Sequence, residues 1–230
     1  MSTSPNISPK RRFLGNGLRV REWERELEAA LLGATRSRTN YKYAPIHLQL
    51  ISSLLLLQNR RVADPNVKAS LKGMLGRVNA IATVHRRLFQ SEDVERFDVS
   101  AFIRDLVADL MGSIQRDDIE MQLDLERVDI PAAKAAPLAL VVNELLTNAL
   151  RHGFPEGRGG RIFVGVRREN GDFRIEITDD GVGIGKTSPV SGFGLTIVQL
   201  LCQQLKARGE TTDAEPGTRV VVLLPVNGAH

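Results

Sequence analysis

The chain has 230 residues, of which 42% are hydrophobic and 25% charged, and a net charge of +4, enough for one or two compact domains with real cores. A single cysteine, Cys202, excludes an internal disulfide framework and fits a reducing compartment. Aromatic residues are only 5% and arginines such as Arg11, Arg12, Arg36 and Arg38 are scattered, which argues against a nucleic-acid surface and for solvated surface charge.

Residues 1–18 are rich in Ser, Pro, Asn and Gly and are expected to form a flexible tail. No secretory h-region opens the chain, so a cytoplasmic address is expected. From Arg19 to Leu32 the apolar residues Trp23, Leu27, Ala30 and Leu31 recur at helical spacing, predicting an amphipathic helix with Trp23 as a packing residue. Two longer helices follow over 46–62 and 67–89. Asp64 is a natural N-cap for the second, with Pro65 at its first position. The apolar run Ile51–Leu57, broken by Ser52 and Ser53, is too short to span a bilayer. Val67, Leu71, Met74, Val78, Ile81 and Leu88 form an apolar stripe. Two antiparallel helices cannot bury both stripes alone, so a homodimeric four-helix bundle is the expected solution.

Residues 91–99 are polar and read as a linker into a second domain over 100–230, after a first domain over 19–90. Ser100 is expected to cap a helix through Met111, followed by a strand over 119–125 and a helix from Pro131 to Gly153. Ile162, Val164 and Val166 alternate in a strand, Asn170-Gly171 is a hairpin turn, and Phe173, Ile175 and Ile177 alternate in the returning strand. A helix over 195–205 and a strand over 219–224 complete an α+β sandwich.

Three places in this second domain carry chemistry. In the helix, Glu144, Asn148 and His152 recur every fourth position and share one face, while Val141, Leu145 and Leu146 can face the sheet. A carboxylate beside a neutral amide suits a hydrated magnesium and a phosphoryl acceptor. In the strand, alternation puts Asp179 on the buried face with Phe173, Ile175 and Ile177, where a carboxylate needs a donor such as an adenine amino group. Asp180 falls on the solvent side. Gly181 and Gly183 allow a ligand close to the backbone. In Ser191-Gly192-Phe193-Gly194-Leu195, a glycine-rich loop opens a helix whose amides can hold phosphate. Gly217-Thr218, before the last strand, is a weaker signal of the same kind.

In order, these segments resemble the N, G1 and G2 boxes of the histidine-kinase-type ATPases, the Bergerat fold. Upstream, Leu48-Gln49-Leu50-Ile51-Ser52-Ser53-Leu54-Leu55 and Ala80-Ile81-Ala82-Thr83-Val84-His85 resemble the dimerisation helices of sensor histidine kinases of the HisKA_2, or HWE-like, type. The resemblance implies ATP and magnesium as cofactors. Asn148 would bind the metal with the ATP phosphates, Glu144 would polarise the attacking group and Asp179 would read adenine. Gly181 and Gly183 would shape the pocket, and Gly192 and Gly194 would flank the phosphates. Arg151, His152, Leu195 and Thr218 would line the nucleotide, and Gly185–Val190 would be a short lid.

The family's phosphoacceptor motif, His-Arg-x-Lys-Asn before Leu-Gln, departs here. The acceptor position falls on Lys42, followed by Tyr43, Ala44, Pro45 and Ile46, and Pro45 sets the start of the helix. His47 lines up with Ile51 and Leu54 on an apolar stripe, where a histidine reads as packed. His85 reads as structural. Tyr41 and Tyr43 would give stable esters, poor donors to a response regulator. Three functions are open on these residues. One is an ATP-binding pseudokinase scaffold, or a kinase acting in trans, working with a response regulator or a partner kinase. A second is an autokinase using His47. The third is an anti-sigma-type serine kinase, which the long helical hairpin disfavours. No sensor domain fits in the first 40 residues, so the signal is expected through a partner or the helix around Trp23.

Overall fold

A computed structural model describes residues 44–91, 93, 95–114, 116–183 and 193–225. The expected tail, the helix over 19–32, Lys42, the lid Gly185–Val190 and Gly192 lie outside the described residues. The chain divides into two compact units, residues 1–78 and 79–230.

Helix α1 (Ala44–Arg61) and helix α2 (Pro65–Gln90) form the expected hairpin. The turn ends as the sequence predicts. Asp64 Oδ1 accepts from the Asn66 amide at 2.8 Å and from Val67 at 3.4 Å, which satisfies donors that the first helical turn leaves open. On α1 only Leu48 is buried among the described residues of the helix, whereas Leu50 and Leu54 are 59% and 61% exposed and Leu56 and Leu57 also face outward. On α2 the expected stripe holds in its later part: Met74, Val78, Ile81 and Leu88 are buried, whereas Val67 and Leu71 are half-buried.

From Asn79 onward α2 belongs to the second unit. There Thr83 donates to Asp109 at 3.2 Å, Arg86 pairs with the same carboxylate at 3.4 Å, and Arg87 pairs with Asp105 at 2.7 Å. These contacts tie α2 to helix α3 (Val99–Ile114). The N-cap of α3 is Asp98, whose Oδ1 accepts from Ala101 at 2.9 Å. Ser100 was expected in that role, but it lies two residues further on, buried within the first turn, and donates instead to the Glu126 carbonyl. The expected linker 91–99 likewise contains structure: β1 (Arg96–Asp98) pairs antiparallel with β3 (Asp129–Pro131). Two three-residue strands carry too short an alternation to be read from sequence.

The main sheet has five strands in the order β2 (Ile119–Leu125), β4 (Gly160–Glu169), β5 (Asp172–Asp179), β7 (Thr218–Pro225), β6 (Arg208–Asp213). Only the β2–β4 pair is parallel. Asn170 and Gly171, both at positive φ (52° and 85°), close the β4–β5 hairpin as the sequence predicts. Strand β6 was not expected. All six of its residues are exposed, so an edge strand leaves no hydrophobic alternation to find.

One face of the sheet is apolar and buried, with Ile162, Val164, Val166, Phe173, Ile175, Ile177, Val222 and Leu224. Helix α4 (Ala135–Asn148) is buried at every position from Ala135 to Leu146, as a helix apolar all round must be. It packs against helix α5 (Phe193–Leu205). The helix expected over 131–153 is three pieces: a 3-10 turn (Ala132–Lys134), α4, and a π turn (Ala149–Gly153). The opposite face of the sheet is polar, with Arg174 and Arg219 both on Glu176 at 2.9 Å and 2.6 Å.

Gly73 sits inside α2, and a Cβ there would meet nothing within 4 Å. Gly73→Ala is therefore expected to stabilise the chain by about 0.5–1 kcal/mol, because alanine loses less backbone entropy in a helix. Chemical denaturation of the two proteins measures the difference.

Candidate nucleotide site

The site is built at the end of the α4 helix, where the chain leaves the core. Glu144 is 6% exposed, and Asn148 follows one turn later, half-buried. Gly194, at the start of α5, lies against both. A Cβ placed on it would meet Glu144 Oε2 at 2.5 Å and Asn148 Oδ1 at 4.0 Å. Any side chain there would have to displace the carboxylate, and glycine also suits a phosphate loop. Leu195 next to it is half-buried.

The π turn then carries Arg151 and His152, both exposed, and ends at buried Gly153. Partial desolvation lowers the His152 pKa, and the adjacent Arg151 charge adds to the effect. Single π turns of this kind recur at functional sites.

Asp179 is the other pole of the site. The β5 strand alternates as predicted, and Asp179 is buried at its end, 4% exposed. Its Oδ1 accepts from the Gly181 amide at 3.0 Å and from the Thr218 amide at 3.3 Å. Because both converge on one oxygen, Oδ2 is the atom that can accept from a ligand. Burial pushes the Asp179 carboxyl above its ordinary pKa, with the two amides opposing and the Asp180 charge adding.

Three glycines close the backbone round this carboxylate. A Cβ on Gly153 would stand 2.9 Å from Asp179 Oδ1, one on Gly181 would run into the Gly153 backbone, and one on Gly217 would fall on the Asp179 carbonyl. The Val182 amide donates to the Gly153 carbonyl at 2.9 Å, fixing the approach. Gly183 (φ 73°) and Gly217 (φ 102°) also adopt the left-handed backbone that other residues avoid. Gly153 was not expected in the site. Its signal in the sequence, a glycine closing a helix before Phe-Pro, reads first as an ordinary helix end.

Asp180 lies on the solvent side as expected, its side chain 35% exposed, and it has a further contact. Its Oδ1 accepts from the Arg161 amide at 2.6 Å, which pins the start of β4. In the first unit, His47 is exposed on α1 instead of packed, because Leu54 on the same stripe is itself exposed. His85 is buried, and burial lowers its pKa, in keeping with a structural role. Among the described residues no helix is long and apolar enough to cross a membrane.

A buried carboxylate with one oxygen left to accept, a glycine-lined backbone beside it, and a carboxylate–amide pair at the end of α4 against the start of α5 fit a purine nucleotide carrying phosphates. Comparison with known proteins agrees. Residues 47–114 match the HisKA_2 family model, described as histidine kinase, and residues 133–228 match the histidine kinase-, DNA gyrase B- and HSP90-like ATPase family. The chain is 30% identical over 190 residues to the sensor histidine kinase PdtaS of Mycobacterium tuberculosis, a match covering 78% of this chain and 37% of PdtaS. It thus spans about a third of the length of that relative. The anti-sigma F factor of Shouchella clausii is 26% identical over 136 residues, covering 54% of this chain and 78% of that protein. The solved histidine kinase domain of the Erythrobacter litoralis EL346 blue-light activated histidine kinase has the same fold, with a TM-score of 0.62 at 22% identity, over 77% of this chain and 96% of that one.

The raised Asp179 pKa has a testable sign. The folded chain holds that proton where the unfolded chain has lost it, so stability falls as pH rises from about 4 through the raised value. Asp179→Asn removes the penalty. Its thermal midpoint at pH 7 should equal or exceed that of the wild type, and the difference should vanish as pH drops below about 4, as followed by calorimetry across that range.

Proposed function

The chain belongs to the histidine kinases of the HisKA_2 type, and on that premise we propose that it is an ATP- and magnesium-binding component of two-component signalling without its own phosphoacceptor histidine. It would act as a pseudokinase scaffold, or as a kinase in trans, with a response regulator or a partner kinase. The observation that carries the ATP half is the Asp179 carboxylate, buried and bounded by glycines, with Oδ1 already engaged; Oδ2 would accept from the adenine amino group.

Asn148 would hold magnesium jointly with phosphate and water, the coordination this ion prefers. Glu144 would accept a proton from, or polarise, an attacking group. Gly194 and the first amides of α5 would face phosphate, and Arg151, His152, Leu195 and Thr218 would line the nucleotide. Bound ATP supplies the γ-phosphoryl group. The missing half is supported by Lys42 at the acceptor position and by the HisKA_2 match, which begins at His47, beyond Lys42–Ile46. A cytoplasmic location is part of the same proposal.

The second reading is an autokinase using His47, which its exposure on α1 favours. Incubation with labelled ATP and magnesium separates the two. Nucleotide should bind with no acid-labile phosphate on the chain, and Asn148→Ala should weaken binding at least tenfold, about 1.4 kcal/mol. Robust labelling that disappears in His47→Ala would overturn the scaffold reading. An anti-sigma-type serine kinase would share the ATPase fold, but the α1–α2 hairpin and its HisKA_2 match speak against it.

The exposed leucines of α1 support the homodimer, since Leu50, Leu54 and Leu57 recur at helical spacing, which is more than scattered surface exposure. Leu54→Glu is expected to give a monomer, and light scattering on the two proteins decides it.

A further inference from the structure

Strand β5 ends at Asp179, and its last rung with β4 sets Ile162 opposite Asp179. The next rung would be Arg161 opposite Asp180. In an antiparallel ladder a hydrogen-bonded pair exchanges two backbone bonds. One of them is present, the Asp180 amide donating to the Arg161 carbonyl at 3.1 Å. The other is made to a side chain: the Arg161 amide donates to Asp180 Oδ1 at 2.6 Å. Oδ2 accepts from Arg161 Nε at 3.4 Å, and the Asp180 carbonyl accepts from Arg158 Nη2 at 3.3 Å. A carboxylate thus stands in for a backbone carbonyl at the point where the strand stops.

With its carbonyl turned out of the ladder, the backbone bends at Asp180. The next amide, that of Gly181, returns to Asp179 Oδ1 at 3.0 Å. An ordinary rung would continue β5 by a residue and carry that amide away from the carboxylate. Gly160 makes the room for Asp180 Oδ1, since a Cβ there would run into both that oxygen and the ring of Phe154, which is buried. Electrostatics gives no reason for an acid at this position, because the Asp180 charge works against ionisation of Asp179 beside it.

We propose that Asp180 is the positioning residue for Asp179: its carboxylate replaces its own carbonyl in the ladder, ends β5 and sets the Gly181 amide on Oδ1, which leaves Oδ2 for a ligand donor. This rests on the adenine-reading role given to Asp179 above.

Two measurements on the full chain test it. Hydrogen exchange followed by NMR without nucleotide reads the Gly181 amide. In Asp180→Ala that amide should exchange at least about tenfold faster while Ile175 and Ile177 within β5 keep their rates, and Asp180→Asn, which retains an acceptor oxygen, should restore it. Competition binding then compares ATP with purine riboside triphosphate, which lacks the adenine amino group. The wild type should prefer ATP by about tenfold or more, Asp180→Ala by less than about threefold, and Asp180→Asn should recover the preference. Unchanged Gly181 exchange in folded Asp180→Ala, or a loss of affinity equal for both nucleotides, overturns the proposal. Should that variant not fold, Asp180→Glu decides, because its carboxylate is displaced by one methylene. Wild-type exchange at Gly181 in Asp180→Glu overturns the proposal equally. A wild type that binds neither nucleotide, or both alike, refutes the adenine reading of Asp179, while Gly181 exchange still judges Asp180.

Discussion

The second unit is organised around one unfavourable group, the carboxylate of Asp179 held at the buried end of a strand. Water is mostly excluded from it, and two backbone amides on a single oxygen compensate only part of the loss. Everything near it is arranged so that the backbone can come close. Three chain segments far apart in sequence, ending at Gly153, Gly181 and Gly217, meet there, and each is a position where any side chain would strike another backbone or the carboxylate itself. The end of α4, the exit from β5 and the entry to β7 are thereby fixed to one another. A ligand donor on the remaining oxygen would complete what the protein leaves half done.

Much of this was legible in the sequence because it depends on short-range periodicity. The alternation Phe173, Ile175, Ile177, Asp179 places the carboxylate on the apolar face, and the hairpin at Asn170-Gly171 follows from two residues that tolerate positive φ. Asp64 before Pro65 marks the start of α2 for an equally local reason. What escaped notice depends on tertiary contacts. Strand β6 has no buried residue to announce it, β1 and β3 are too short to show a period, and Ser100 is drawn from the cap position by the Glu126 carbonyl 26 residues away. Gly153 and Asp180 matter through the atoms they meet across the fold, and nothing in their immediate neighbours reveals that.

The two units differ in how their chemistry is stored. The ATPase-type unit keeps its polar groups inside, where Glu144, Asn143 and Asp179 are all buried and their environments can be specified closely. The described part of the first unit keeps its distinctive features outside, as exposed leucines and an exposed His47 on α1. Substitutions at buried polar positions disturb the fold as well as the chemistry. Exposed positions such as His47 and Leu54 carry less of the fold and can change with smaller effect on it.

The π turn from Ala149 to Gly153 gives the helix one residue more than an α-helical path would need over that distance. The wide turn absorbs that residue without lengthening the helix, so the extra residue sits in the turn that carries Arg151 and His152 and ends at Gly153, whose carbonyl accepts from the Val182 amide. The helix thus meets the pocket through a widened turn, and the backbone there, as much as any side chain, shapes the floor beneath Asp179.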